Sequence, residues 1–380
     1  MHIKIAFIDD GINPEFIPAG VAFENYSACE TEVKVATPVS DVSHGTMCYQ
    51  IFRDHLHSQY RLVSIKVLDN ATGTGNHKAL VNALNWCAEQ DIDIINMSMG
   101  TRQFTDFALV SRAIARLSNT VIVAACSNSN NLTFPACLPN VIGVRHCEHE
   151  ELRETYKYLE NPYDQIEVLT CVNNVPISFG DNNTMNMSGA NSFAAPLITA
   201  RVLEYMAKGY SKENIRRALK KDAVKDINFC TFDFFKSLFH KWEEVNIPIV
   251  VLPDSTDTAP QKLKDLLNVF IHDGYRAIAL SKCTETSASD FIYSLNWHGA
   301  DKVSIEAFIE LYYNFALPDI IFLQMGMKDA VALPEGMQPD VVLKPQGAGG
   351  SQFSCWDEGS VLDYGERAEI LFSQITRLLE

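Results

Sequence analysis

Short apolar runs that do not alternate with polar residues recur through the first 200 residues of this 380-residue chain. Such runs are typical of strands buried on both faces of a mostly parallel sheet that helices cover. The predicted strands are residues 3–8, 62–68, 92–97, 121–125 and 141–144. Between and after them, apolar residues recur at helical spacing, which predicts helices over 78–90, 105–117, 193–208 and 212–221.

A second alternation of strands and helices begins near residue 246. It predicts strands at 247–252, 275–280, 319–323 and 340–343 and helices at 261–272, 304–315 and 366–379. An aromatic-rich stretch, 232–242, precedes it and is expected to form a helix. The length of the chain also favours more than one domain. We therefore expect a larger α/β domain over 1–222, a connector over 223–245 and a smaller α/β domain over 246–380.

Charge and cysteine content narrow the class of protein. The formal net charge of −16 disfavours nucleic acid and anionic membrane as partners, since both require a basic surface. No run of eighteen apolar residues predicts a membrane span. The ten cysteines are scattered, and Met1 leads into an apolar strand without the pattern of a signal peptide. These features predict reduced thiols and a cytoplasmic location.

Three separated segments carry residues suited to acyl transfer. A buried strand ends at Asp9, a Ser-His-Gly-Thr segment contains His44, and Ser-Gly-Ala-Asn-Ser-Phe-Ala-Ala-Pro contains Ser192 at a predicted helix start. Acyl transfer needs an oxygen nucleophile, a base that takes its proton, and a carboxylate that orients the base. Each segment alone is as consistent with a turn, a loop or a helix cap. The three together, in this order, point to a catalytic triad.

These segments resemble the D-[ST]-G, H-G-T and G-T-S-M-A-x-P motifs of the subtilase family of serine peptidases, in the chain order Asp, His, Ser. Three further segments between them also match that family in order. The resemblance covers residues 3 to about 200. It implies a subtilisin-like three-layer α/β fold with a parallel central sheet, followed here by the smaller α/β domain.

The resemblance also implies roles for individual residues. Ser192 would be the nucleophile, His44 the general base and then acid, and Asp9 the group that orients the imidazole. Asn128, in a segment similar to V-A-A-A-G-N, would bind the oxyanion together with the Ser192 backbone N–H. The residues expected to contact the peptide substrate are Gly73, Thr74, Gly75, Ser98, Met99, Gly100, Ala125, Cys126 and Ser127.

The sequence departs from the family pattern at four places. Asp10 follows Asp9 where the family has Ser or Thr, so Asp10 is an alternative candidate for the orienting carboxylate. Asn191 and Phe193 replace Thr and Met around the nucleophile, which we expect to leave the triad unaffected. Cys126 and Ser127 replace Ala and Gly, which predicts a shallower or more polar pocket for the substrate side chain.

The predicted function is a serine endopeptidase that acts through an acyl-enzyme and selectively processes a precursor (leader) peptide, as cytoplasmic subtilases of peptide natural-product maturation do. The alternatives are a general intracellular degradative subtilase and a catalytically silent peptide-binding protein. No cofactor or metal is expected, since the scattered Cys and His residues fit no zinc pattern and residues 246–380 lack a phosphate-binding loop. The second domain is expected to bind substrate or to mediate self-association.

Overall fold

The computed structural model describes residues 2–69, 74–160, 162–181, 183–225, 232–239, 243–252, 259–296, 303–344, 361–363 and 365–379. The chain divides into two compact units. Unit 1 comprises Met1–Arg102 and Asp106–Phe229, and unit 2 comprises Gln103–Thr105 and Cys230–Glu380. Among the helices in these described ranges, none has the length and apolar character that a bilayer crossing requires.

A nine-stranded sheet forms the centre of unit 1. Its strands are β1 Ile3–Asp9, β2 Ala22–Ala28, β3 Val33–Val35, β4 Tyr60–Lys66, β5 Ile94–Met97, β6 Val121–Ala125, β7 Val141–His146, β8 Lys157–Tyr158 and β9 Val168–Thr170. They lie in the order β3-β2-β4-β1-β5-β6-β7-β9-β8. The pairs at the two edges, β2 with β3 and β8 with β9, are antiparallel, and all others are parallel. A separate hairpin joins β10 Val175–Ser178 to β11 Thr184–Met187.

Helices cover both faces of this sheet. They are α1 His44–Asp54, α2 His77–Glu89, α3 Phe107–Arg116, α4 Asn191–Ala207 and α5 Lys212–Asp222. Ile5 and Phe7 of β1 share a buried core with α1, α4 and α5. Ala6 and Ile8 alternate with them and therefore lie on the opposite face of the sheet. They are equally buried there, beneath the layer in which α2 packs with α3. Unit 1 is thus the three-layer α/β fold that the apolar runs predicted.

Several element boundaries differ from those predicted. The predicted strand 62–68 ends at Lys66, because Leu68 instead forms an isolated antiparallel bridge with Gly75. The helix predicted over 193–208 begins at Asn191, so Ser192 lies inside its first turn. The helix predicted over 105–117 begins at Phe107. Strands β2, β3, β8, β10 and β11 were not predicted, because their residues are mostly half-buried or exposed and lack long apolar runs. β9 is buried but only three residues long, too short to stand out as an apolar run.

The described residues of unit 2 form a sheet of six parallel strands in the order β14-β13-β15-β12-β16-β17. The strands are β12 Ile249–Leu252, β13 Ala277–Ser281, β14 Ile292–Ser294, β15 Ile320–Gln324, β16 Val341–Lys344 and β17 Val361–Asp363. Its helices are α6 Phe232–Ser237, α7 Ala259–His272, α8 Ile305–Ala316, α9 Met327–Val331 and α10 Ala368–Leu379. Apolar side chains of β12, β15, α7 and α10 form its own buried core. The glycine-rich segment 347–350 lies outside the described residues.

Candidate active site

The carboxylate of Asp9 lies at the end of β1, in the middle of the sheet, and only 1% of the residue is exposed. Its Oδ1 is 2.9 Å from Nδ1 of His44 and also accepts a hydrogen bond from the Asp10 backbone N–H. Its Oδ2 is buried without a hydrogen-bond partner among the described residues. A carboxylate so placed selects the tautomer in which Nδ1 of His44 carries the proton and Nε2 is the basic nitrogen.

Helix α1 begins at His44, and its first turn is held by two capping groups. Ser43 Oγ accepts from the Thr46 N–H and donates to the Gly11 carbonyl oxygen at 2.6 Å. The Asp10 carboxylate accepts hydrogen bonds from the backbone N–H groups of His44 at 3.1 Å and Gly45 at 2.7 Å. Of the two candidate carboxylates, Asp9 therefore contacts the imidazole and Asp10 caps the helix that carries it.

A glycine at position 45 is required by this close packing. A Cβ on Gly45 would lie 2.5 Å from the carbonyl oxygen of Gly11, a distance that side-chain carbons do not tolerate. Gly11 itself has a φ of +108°, in the region that favours glycine. The Asp-Asp-Gly and His-Gly segments thus fit against each other through backbone atoms, which places Asp9 beside His44.

Ser192 is the second residue of α4, where the positive end of the helix dipole favours a developing negative charge. The Cys48 thiol, one turn after His44, connects the two segments: its Sγ is 3.9 Å from both imidazole nitrogens and 3.6 Å from the Ser192 carbonyl oxygen. Oγ of Ser192 makes no hydrogen bond with the described residues. Hydrogen bonds of catalytic groups often tighten only when substrate binds.

Phe193, one of the two replacements that we expect to leave the triad unaffected, contacts the imidazole. Its ring stacks on that of His44 with centroids 5.8 Å apart and an interplanar angle of 20°. Phe193 itself is 5% exposed, so it forms a fixed apolar wall beside the ring. This contact limits the orientations that the imidazole can adopt.

The surroundings of His44 change the pKa of its imidazole. A negative charge on the Cys48 sulfur would raise the pKa of His44 above its ordinary value of 6.5 most strongly, the Asp9 carboxylate also raises it, and burial lowers it. Burial raises the pKa of the Cys48 thiol. A thiol whose pKa is raised stays protonated at neutral pH and carries no charge, so Asp9 is the group that raises the pKa of His44.

Asn128 follows β6 on an exposed turn, within reach of the start of α4. Its Oδ1 accepts a hydrogen bond of 2.9 Å from the Asn191 backbone N–H. Its Nδ2 donates to none of the described residues, so it is available to a ligand. The backbone N–H of Ser192, the other donor expected for the oxyanion, lies one residue after Asn191 on α4.

The predicted peptide-contacting residues lie on three segments of unit 1. Ser98 is buried and accepts a hydrogen bond from Asn96 Nδ2 at 3.1 Å, whereas Met99 is half-buried and Gly100 is exposed. Thr74 and Gly75 are exposed, and Gly73 lies outside the described residues.

Ala125 ends β6, and Cys126 and Ser127 lead from it toward Asn128; Ala125 and Cys126 are buried. The Cys126 thiol donates to Asn130 Oδ1 at 3.8 Å. The side chain of Cys126 is therefore part of the packing beneath the turn that carries Asn128.

One set of possible metal ligands occurs among the described residues. Suitable atoms of Asp9, His44 and Cys48 all lie within 4.8 Å of one another. Sequence reasoning overlooked Cys48, although its position four residues after His44 on one helix places both side chains on the same face. A metal ion bound there would occupy the imidazole that acyl transfer needs as a base.

Comparison with known proteins decides the family of this chain. The family model described as the subtilase family matches residues 2–263, more than half of the chain. The chain belongs to the subtilase family. As a subtilase it is a subtilisin-like serine peptidase, and unit 1 has the fold that the sequence motifs implied.

Among curated relatives, the subtilase is 26% identical over 240 residues to subtilisin DY of Bacillus licheniformis, which covers 59% of this chain and 84% of the relative. It is 25% identical over 173 residues to the major intracellular serine protease of Bacillus subtilis, and the match covers 43% of this chain and 51% of the relative. Among solved structures, it is similar to the prenylagaramide maturation protease PagA. The identity is 20%, the match covers 60% of this chain and 84% of PagA, and the TM-score is 0.45.

Proposed function

We propose that this subtilase cleaves peptide bonds through an acyl-enzyme formed on Ser192, and that it acts selectively on a precursor peptide. The observation that carries the catalytic part is the 2.9 Å hydrogen bond between the buried Asp9 carboxylate and Nδ1 of His44. That bond leaves Nε2 of His44 to accept the Ser192 proton. Asn128 supplies the side-chain donor for the oxyanion.

The reaction divides into two halves. Oγ of Ser192 attacks the scissile carbonyl carbon while its proton passes to His44 Nε2, and the carbonyl oxygen becomes the oxyanion. As the C–N bond breaks, His44 returns the proton to the leaving amine. A water molecule then repeats the sequence on the ester: His44 takes a proton from the water, and the Ser192 oxygen leaves with a proton from His44.

Asn128→Ala tests the assigned oxyanion donor. We expect kcat to fall by roughly 10²- to 10³-fold with KM nearly unchanged, because the Nδ2 donor acts on charge that exists only in the transition state. Steady-state kinetics on a chromogenic peptide measure both constants. Asn140→Ala, at an exposed asparagine just before β7, serves as the matched control. A large rise in KM at constant kcat would instead assign Asn128 to ground-state binding.

Selectivity is the second part of the proposal, and features of both units support it. Phe193 and Cys126 fill space with fixed, buried side chains where the family pattern has Met and Ala. Unit 2 has its own core, and it would bind the precursor outside the scissile bond or mediate self-association. Contacts remote from the cleaved bond raise the effective concentration of the right substrate.

A cytoplasmic location is also part of the proposal. The eight cysteines among the described residues are all free thiols, which fits a reducing compartment.

The full chain and residues 1–245 should therefore differ in the range of peptides that they cleave. We expect the full chain to cleave a narrow subset of a proteome-derived peptide library and the shorter chain to cleave a broader set. Mass spectrometry of the products measures this range, and size-exclusion chromatography with light scattering reports self-association. Equal labelling of both proteins by a fluorophosphonate establishes that the shorter chain is folded. Unchanged range and unchanged oligomeric mass in such a folded protein would contradict this role of unit 2.

The same library separates the alternatives. A general degradative subtilase would cleave most members of the library in its full-length form. A silent peptide-binding protein would bind peptides without cleaving them or reacting with the fluorophosphonate.

A further inference from the structure

We propose that Asn191 is a positioning residue that holds the oxyanion-binding turn against the start of α4, supported from behind by a buried ion pair. The Asn191 network consists of Asn128, Asn130, Arg145, Asp164 and Asn191. This inference rests on the proposed function, because it assumes that Asn128 binds the oxyanion. Asn191 occupies the position where the subtilase motif has Thr, so the network depends on residues particular to this chain.

The side chain of Asn191 joins two chain segments to the first residue of α4. Its Oδ1 accepts a 2.8 Å hydrogen bond from the His146 N–H at the end of β7. Its Nδ2 donates to the Ser127 carbonyl oxygen at 2.5 Å and to Asn130 Oδ1 at 3.0 Å. Asn191 is 4% exposed, so these bonds are shielded from competing water. A threonine hydroxyl has a single donor and cannot make both bonds to the turn.

Asn130 is the second point at which the turn is fixed. Its φ of +60° lies in the left-handed region, which asparagine tolerates better than most residues. Its N–H donates to the Ser127 carbonyl oxygen at 2.9 Å, which closes the turn around Asn128. Its Oδ1 accepts from both Asn191 Nδ2 and Arg145 Nε, the latter at 3.0 Å. The turn is therefore held from the helix side and from the sheet side.

Arg145 and Asp164 form an ion pair whose side chains are both 0% exposed. Removing two charges from water costs free energy that their attraction often fails to recover, so burial of such a pair is not explained by stability alone. The pair does orient the guanidinium, since Asp164 Oδ2 bonds one terminal nitrogen and Nε then faces Asn130. Nη1 of Arg145 is buried without a hydrogen-bond partner in the described part of the chain.

The consequence is a preset direction for the Asn128 amide. The Asn191 N–H holds its Oδ1, and the turn on either side of it is fixed by Asn130 and Ser127. Its Nδ2 has no partner among the described residues, and the residue itself is exposed. Preset donors stabilise a transition state because they need no reorganisation during the reaction, and small misplacements cost much of that effect.

The first test is Asn191→Thr in the full chain, which introduces the residue of the family motif without adding volume. We expect kcat for a chromogenic peptide to fall by roughly ten- to a hundredfold at nearly constant KM. We also expect the affinity for a peptide boronic acid, which forms a tetrahedral adduct with the serine, to fall by a similar factor. Tyr205→Phe, which removes a buried hydroxyl far along α4, is the matched control and should leave both quantities near wild type.

A second variant removes the ion pair without leaving an unpaired charge. Arg145→Met combined with Asp164→Leu should keep or raise the thermal midpoint and still lower kcat and boronic-acid affinity, because Asn130 loses its support from Arg145. If Asn191→Thr does not fold, this double variant tests the positioning role in its place. Wild-type kcat and boronic-acid affinity in either folded variant would overturn the positioning role. Failure of the proposed function itself is recognised separately, as a wild-type protein that a fluorophosphonate does not label at Ser192.

Discussion

Replacing Ser192 with alanine is expected to lower kcat for peptide hydrolysis by about a millionfold, as loss of the nucleophile does in an Asp-His-Ser peptidase. Without Oγ no acyl-enzyme forms, and only substrate binding and the oxyanion donors remain to assist attack by water. Covalent labelling by a fluorophosphonate should disappear entirely. Tryptic mass spectrometry of the labelled wild type should locate the adduct on Ser192, the second residue of α4.

The matched control for this prediction is Ser188→Ala. Ser188 is exposed and lies four residues before the nucleophile on the same segment. We expect this variant to label and to turn over as the wild type does. Labelling that survives Ser192→Ala, or a wild type that never reacts, would contradict the assignment of the nucleophile.

The central strands and the contact between Asp9 and His44 were predictable because each depends on local sequence. β1 and β6 are continuous apolar runs that were predicted within one residue, since burial on both faces leaves no polar alternation. Asp9 and His44 meet because Gly45, directly after His44, permits close approach to the carbonyl oxygen of Gly11 and to Asp9. Such contacts restrict the residue types at several neighbouring positions, which makes the motif visible in one sequence.

The edges of the sheet were not predictable from the same signals. β2 is half-buried along most of its length, and it forms a strand because β4 offers it a parallel partner. The hairpin of β10 and β11 is still more exposed. Formation of β2 therefore depends on β4, which lies tens of residues away in sequence.

The Asn191 network escaped sequence reasoning for a related reason. Asn191 and Asn128 are 63 residues apart, and Arg145 and Asp164 are 19 apart, yet each pair is joined by a direct hydrogen bond. The available signal was the departure from Thr at position 191. Its meaning required the structure, because an asparagine before a helix is also typical of an ordinary cap.

Asp9→Asn is expected to lower kcat by roughly 10⁴-fold, because an amide in place of the carboxylate favours the wrong imidazole tautomer and no longer stabilises the imidazolium. The variant should also change the pH dependence of kcat/KM. His44 must be neutral to accept the Ser192 proton, so activity falls as pH drops through the pKa of His44. The Asp9 carboxylate raises the pKa of His44 by its charge and its hydrogen bond, so it shifts the acidic limb of the wild type toward higher pH. Loss of the Asp9 charge should move this limb to lower pH.

Asp10→Asn distinguishes this role from that of the neighbouring carboxylate. Asp10 accepts hydrogen bonds from the backbone of His44 and Gly45, so its replacement should lower the thermal midpoint through a weaker helix cap. Its kcat should fall far less than that of Asp9→Asn, and its acidic limb should stay close to that of the wild type. Stopped-flow measurement of kcat and of kcat/KM between pH 5 and pH 9 gives the loss of kcat and the position of the acidic limb. A larger loss of kcat in Asp10→Asn, together with the shift of the limb, would assign the orienting role to Asp10, since only the carboxylate beside the imidazole can alter both.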